Sequence, residues 1–223
     1  MKRILNAFLV CGALFFAFGN ILLADPTVYG SSGLITVPTA KSLNYKEMNM
    51  SLDYIAGGPK KEELYYKFNL GVLKNWEMGV VGGTVPSEGV FVNAKYYLMS
   101  DNSRFPLFLA MGFERLASLN KSEVYLIASK IFQGGLSGHF GFKARFHPEE
   151  IDPSIMGGVE YFYNNAFSVL ADFTGETRVY MLNTGVRFYI IPEISLRLNI
   201  INLGNAENRG IFYTFGLVFL KFL

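Results

Sequence analysis

The chain has 223 residues, of which 51% are hydrophobic and only 17% charged, below the ~25% charged typical of soluble domains. Its net charge of +2 comes without any block of like charge: Lys60 and Lys61 are followed at once by Glu62 and Glu63. That excludes a nucleic-acid-binding surface. Aromatics reach 16%, with 21 Phe, 13 Tyr and one Trp, beside 23 Gly. A lipid-facing barrel uses such a mixture, with aromatics at the membrane interfaces and glycine where strands bend or the interior is crowded.

The N-terminus reads as an export signal over residues 1–24. Lys2 and Arg3 supply the charged start, an apolar stretch runs from Ile4 to Leu23, and Leu22-Leu23-Ala24 before Asp25 supplies the cleavage site. A retained membrane anchor is the competing reading, since the stretch is close to the ~20 residues a helical span needs. The single cysteine, Cys11, lies inside this segment, too early and in the wrong context for a lipoprotein cysteine. The exported chain therefore has no thiol for a disulfide or a cysteine metal site.

Residues 25–44 form an irregular segment rich in Gly, Ser and Pro. Within it Leu34-Ile35-Thr36-Val37 is apolar enough to demand burial. Gly33, Leu34, Ile35 and Pro38 are candidates for a plug folded into a barrel interior or lying across its mouth. A short extra strand or a linker is the plainer alternative.

From residue 45 to 223 the pattern changes to runs of roughly ten residues with a period of two. About twelve such runs occur, near 46–56, 62–72, 75–84, 89–99, 105–114, 122–132, 137–146, 154–163, 166–174, 177–189, 193–202 and 210–222. In the seventh, Phe140, Phe142, Ala144 and Phe146 oppose His139, Gly141, Lys143 and Arg145. In the eleventh, Ile194, Leu196, Leu198 and Ile200 oppose Ser195, Arg197 and Asn199. Tight links at Leu73 to Asn75, Gln133 to Gly135, Asn164-Asn165 and Ile191-Pro192 alternate with longer ones at Gly57 to Lys61, Arg115 to Lys121, His147 to Pro153 and Leu203 to Arg209. Gly175-Glu176 breaks that rhythm as a two-residue turn on the long side. No later run offers the ~18 consecutive apolar residues of a helical span.

The reading is an all-β fold: a single antiparallel transmembrane β-barrel of about twelve strands with an N-terminal plug-like segment. It would sit in the bacterial outer membrane with both termini periplasmic. A soluble sandwich or lipocalin-like barrel would have to pack large Phe, Leu and Ile from nearly every strand into one interior, which a twelve-stranded barrel leaves too wide to fill. The last run ends in Phe222-Leu223, close to the aromatic-terminated strand that barrel-assembly machinery reads. Expected partners are that machinery, outer-membrane lipid and lipopolysaccharide, with polysaccharide as a candidate cargo.

On this register the interior receives Asp53, Lys67, Glu77, Lys95, Glu114, Lys130, His139, Lys143, Arg145, Glu160, Asp172, Arg187 and Arg197. Charges in a low-dielectric bore must be paired or wet. They read either as cross-bore ion pairs or as a polar path for a solute, the slight basic excess favouring anions. Tyr65, Tyr97, Tyr189 and Phe162 fall on inward registers and could meet a sugar, or belong to interface girdles instead. Ser137 and His139 share one strand face, where a hydroxyl beside an imidazole is a candidate nucleophile, but that face is the interior, away from a lipid substrate. Glu149, Glu150 and Asp152 near His147 could hold a hard cation or stay solvated. Motifs of the hydrolase elbow, phosphate loop and zinc protease types are absent. Neither a metal nor a cofactor is expected.

Gly33-Leu34-Ile35 followed by Pro38-Thr39-Ala40, behind a signal and ahead of alternating strands, resembles the start of the YjbH-type outer-membrane proteins. That resemblance covers about a dozen residues and implies a setting in exopolysaccharide production and export. Members of that family can be much longer, so this chain would be a barrel-only relative. The first expectation is thus a non-enzymatic barrel supporting export or assembly of exopolysaccharide or another envelope polymer. A small-solute porin is the alternative. A structural or adhesion protein and a lipid-modifying enzyme rank below both.

Overall fold

The computed structural model describes residues 24–59, 62–84, 89–99, 105–116, 122–147, 149–176 and 179–222. The export signal expected over residues 1–24, Cys11 included, lies outside them apart from Ala24.

Twelve strands form one closed antiparallel barrel. They are β1 Glu47–Gly57, β2 Glu63–Leu73, β3 Trp76–Gly83, β4 Phe91–Met99, β5 Phe108–Leu116, β6 Glu123–Ile131, β7 Leu136–Phe146, β8 Ile151–Asn164, β9 Phe167–Glu176, β10 Val179–Ile191, β11 Ile194–Ile201 and β12 Phe212–Phe222. Each strand pairs with its sequence neighbours, and β1 closes on β12 through an unbroken register from Glu47↔Phe222 to Gly57↔Phe212. Closure leaves no edge strand, so the ladder satisfies the backbone polar groups that hydrocarbon cannot. Strands of 8 to 14 residues suit the nine to eleven residues that a tilted strand needs to cross ~30 Å of hydrocarbon.

The alternation sets the two faces. On β7, Phe140 and Phe142 are exposed outward, while Lys143 and Arg145 are buried inward. On β9, Val169 faces out, whereas Ser168, Leu170 and Asp172 face in. The charged face is therefore the buried one, the reverse of a soluble barrel.

Three local expectations are corrected. The link expected over His147 to Pro153 is shorter, because β8 begins at Ile151 and pairs Asp152 with Arg145 and Pro153 with Ala144. Proline is tolerated near a strand start, where a missing donor harms the ladder least. Asp152 thus leaves the presumed loop trio with Glu149 and Glu150, and among the described residues no cluster of metal-ligand type occurs. Gly175 and Glu176 belong to β9, paired with Tyr180 and Val179, so they are strand residues and not the two-residue turn expected of them.

Residues 24–43 lie inside the barrel, and Asn44 emerges from it. Leu34, Ile35, Val37, Ala40 and Leu43 are each at most 1% exposed. Two isolated bridges, Pro26↔Ser32 and Gly33↔Pro38, fold the segment back on itself. Close approach of this plug to the wall demands glycine at Gly158 on β8: a Cβ there would lie 2.5 Å from Leu34 Cδ1 and 2.7 Å from the Ala171 carbonyl oxygen. Gly158→Ala is therefore expected to destabilise the barrel by about 1–3 kcal/mol. Gly204→Ala, with nothing near its Cβ, leaves stability unchanged. Urea unfolding in lipid vesicles checks the pair, and equal stability of the two variants contradicts the packing.

Candidate functional site

The site is the bore and what fills it. The plug enters at the end of the barrel that carries Glu47 and Phe222, called here the terminal end. Ala24 packs with Leu43 and Leu220 there. The chain climbs to Val28 and Tyr29, turns, and returns through Val37 and Ala40 to Leu43. Its apolar side chains meet apolar islands on the wall: Val37 and Ala40 against Ala110, Tyr125, Ile127 and Met156, and Val28, Leu34 and Ile35 against Leu170 and Ile201. Each buried aliphatic side chain of this size contributes ~1.5–3 kcal/mol.

Between those islands, wall side chains bind the plug's main chain. Asp172 on β9 accepts the backbone N–H groups of Ile35, Thr36 and Val37 at 2.9, 2.7 and 3.1 Å, while Asn183 on β10 donates to its other oxygen at 2.7 Å. Three amides converge because Leu34 N–H bonds the Val37 carbonyl at 2.8 Å, closing a tight turn around one carboxylate. Glu77 on β3 accepts from the N–H of Ser32 and of Leu43 at 2.9 and 3.0 Å. Lys95 on β4, 3.5 Å from Glu77, donates to the Ser32 and Lys41 carbonyls at 2.8 and 2.6 Å. Arg187 on β10 donates to the Gly33 and Leu34 carbonyls at 2.6 and 2.9 Å and pairs with Glu160 and Asp25 at 3.2 and 3.5 Å. Lys67 on β2 bridges Asp53 and the Thr27 carbonyl at 2.7 and 2.8 Å. Arg197 on β11 holds Asp53 at 2.6 Å and bonds the Pro26 carbonyl. These charges are 1–3% exposed, apart from Glu160 at 7%, so each depends on a countercharge or a peptide group for compensation.

At the far end of the bore, opposite the termini, Glu123 gathers three cations. Lys143 lies 3.1 Å away, Arg145 Nε donates at 2.8 Å and Arg115 stands at 3.9 Å. Arg115 reaches inward because β5 carries one extra residue there, with Val92 opposite Leu116 but Ala94 opposite Phe113. This bulge buries Glu114 and Arg115 consecutively and holds Arg115 at φ +57°, a strained conformation for a residue with a side chain. Arg115 N–H bonds Asn93 Oδ1 at 2.9 Å, and its guanidinium covers the Tyr29 ring at 3.7 Å. It thereby caps the plug's apex with a cation–π contact.

The structure places all but one of the interior candidates on the bore side. Lys130 is the exception and is corrected here. On β6, Glu123, Tyr125, Ile127 and Ser129 are buried inward, so Lys130 shares the outward face with Leu126. Both faces of that strand are apolar along most of their length, so alternation alone picks neither register. His139 faces in, with Nδ1 2.7 Å from Ser129 Oγ and Nε2 3.1 Å from Ser137 Oγ. Serine hydroxyls brace this ring on both sides, not the carboxylate that orients a nucleophile's base. Ser129 Oγ accepts the Ala40 N–H at 2.9 Å, so the pair serves the plug. Of the aromatics, Phe162 and Tyr189 stack at 6.1 Å and Tyr97 meets Phe108 at 6.4 Å, all toward the terminal end. Tyr65 donates to Glu63 at 2.9 Å near the far end.

Sequence reasoning missed Arg115, which it placed in a link, and the asparagines Asn69, Asn93 and Asn183. Asn69 and Asn93 each donate to a plug carbonyl at 2.8 Å. Their inward parity with Lys67 and Lys95 was the available signal.

Among solved structures, the chain is similar in fold to the KdgM porin (TM-score 0.59, 14% identity, covering 77% of this chain and 98% of that one). It is likewise similar to the NanC porin (0.58, 14%, 77% and 98%) and to Omp33 of Acinetobacter baumannii (0.52, 10%, 80% and 99%). No protein-family profile matches the chain, and no curated protein does. The fold is that of bacterial outer-membrane porins.

Replacing Asp172 with Asn removes the charge on which three plug amides converge. A hydrogen bond to a charged group is worth ~1.5–3 kcal/mol, so exchange of the Ile35, Thr36 and Val37 amides should accelerate roughly tenfold to a hundredfold. Hydrogen exchange by NMR in nanodiscs reads this directly. Unchanged protection at those three amides contradicts the anchor.

Proposed function

We propose that this protein is a non-enzymatic outer-membrane channel, closed at rest by its own residues 24–44, with both termini in the periplasm. The observation that carries it is a closed twelve-stranded barrel whose charged, buried inner face is bound to a segment that belongs to no strand. A permanent structural barrel has no need of a polar bore, since apolar residues can fill one at lower electrostatic cost. The export signal and the even strand number support the periplasmic placement of the termini. Outer-membrane lipid, lipopolysaccharide and the barrel-assembly machinery are the partners such a barrel requires.

Support of polysaccharide export is the second reading. Tyr97, Phe162 and Tyr189, which line the bore toward the terminal end, favour it, together with the YjbH-like segment. It ranks lower because a polymer would need the full bore that residues 24–44 occupy, and the neighbours named above are porins. One of them, the KdgM porin, is also known in complex with disordered oligogalacturonate. An acidic saccharide is therefore among the solutes to try.

Planar-bilayer recording tests the channel. The signal-free chain should be silent or nearly so, while Asp172→Asn combined with Arg187→Gln should give discrete opening events. Silence of the double variant, with its folded gel mobility intact, would sink the proposal.

A further inference from the structure

We propose that the bore wall is a receptor for polypeptide main chain in a folded-back path, and that a peptide segment is what replaces residues 24–44 when they leave. The inference rests on the channel reading for passage of the peptide, though not for its binding.

The argument lies in which atoms the wall touches. Donors on the wall meet plug carbonyls in near-continuous succession: Arg197 at Pro26, Lys67 at Thr27, Asn93 at Tyr29, Asn69 at Gly30, Lys95 at Ser32, and Arg187 at Gly33 and Leu34. Acceptors on the wall meet plug amides: Glu77 at Ser32 and Leu43, Asp172 at Ile35, Thr36 and Val37, and Ser129 at Ala40. These two series are to main chain, and fewer contacts reach plug side chains: Ser32 Oγ donates to Glu77 at 2.6 Å, Thr36 Oγ1 to Asp172 at 3.1 Å, and Asp25 lies 3.5 Å from Arg187. The wall carries donors where the plug offers oxygen, and carboxylates or a hydroxyl where it offers N–H. A polypeptide presents that array from its main chain, with glycine demanded only at Gly30 and Gly33, where a Cβ would collide with Asn93 Nδ2 and with the Val37 carbonyl oxygen respectively. Main-chain recognition supplies affinity with little sequence demand, as it does when a peptide adds to a sheet edge. A sugar chain presents mostly hydroxyls and lacks the regular array of carbonyls and amides.

The same contacts explain why a vacated bore would recruit a peptide. Asp172, Glu77, Lys95 and Arg187 are at most 2% exposed and lose backbone partners together when the plug departs. Charges so placed favour another chain that restores those bonds. The wall also keeps apolar islands at Ile127, Met156 and Leu170, which accept aliphatic side chains of varied shape.

The test uses the full signal-free chain with a specific protease site built into the exposed link from Asn44 to Lys46. After folding and nicking, the plug is held only by its contacts. A fluorescent synthetic peptide of residues 24–44 is then exchanged in and followed by anisotropy. Saturable exchange is expected, and a peptide of the same composition scrambled everywhere except Gly30 and Gly33 should compete within about tenfold. Neutral and acidic oligosaccharides should not compete at roughly hundredfold excess. Lys95→Gln in the nicked protein should weaken binding by about tenfold, the loss of one charge-assisted contact. The proposal is overturned if no saturable exchange occurs or if oligosaccharides compete as well as peptide. It is overturned equally if only the native sequence binds, which would make the segment a dedicated stopper. Silent bilayers with intact peptide exchange would remove the channel and leave the receptor standing.

Discussion

Charge inside this barrel depends on peptide groups for its neutralisation. The outer face is apolar, so the strands' alternation drives Asp53, Lys67, Glu77, Lys95, Asp172, Arg187 and Arg197 into a bore that is 1–3% exposed at those positions. Ion pairs answer only part of the demand. The rest is met by the carbonyls and amides of residues 24–44, a segment with few regular backbone bonds of its own. Wall and plug thus satisfy each other: without the segment the wall's charges lose the backbone bonds that complete their ion pairs and hydrogen bonds, and the segment's buried peptide groups lack partners without the wall. The irregular path of the segment, its bridges and its tight turn at Asp172 all follow from that exchange.

The strands were legible because a period of two bounded by turn residues is a local signal, and twelve such runs became twelve strands. The plug's apolar core, Leu34 to Val37, was legible as something that wanted burial. Its binding mode was not, because main-chain hydrogen bonds leave no trace in side-chain identity. Lys130 misled because β6 is apolar on both faces, so one lysine outweighed Glu123, Ser129 and the buried Tyr125 and Ile127. Arg115 escaped for a different reason. A bulge adds one residue to a strand and reverses parity past that point, and no residue in the Glu114 to Leu116 stretch announces it. The asparagines were passed over because charge drew attention to Lys67 and Lys95, although Asn69 and Asn93 share their parity.

The two ends of the bore differ in a way that bears on function. Toward the termini, Phe162, Tyr189, Tyr97 and Phe108 form an aromatic zone. At the far end, Arg115, Lys143 and Arg145 converge on Glu123, and Arg115 seals the plug's apex over Tyr29. On the proposed channel reading, the strained Arg115 over the plug's tip is where an approaching solute would first meet the closure. In the middle of the bore, carboxylates and cations alternate against the plug's main chain. The buried, charged bore is the ground on which a channel is proposed, and the segment that fills it makes the proposed channel a closed one.

The central claim is that residues 24–44 occupy the bore at rest, and thiol labelling measures that most directly. With Cys11 replaced by Ser, a single cysteine is placed at Val37, fully buried, or at Tyr45, 57% exposed. The account predicts that a membrane-impermeant maleimide, present on both sides of the bilayer, labels Tyr45→Cys readily and leaves Val37→Cys unmodified until the barrel is unfolded. Rapid labelling of Val37→Cys in the folded barrel would contradict it.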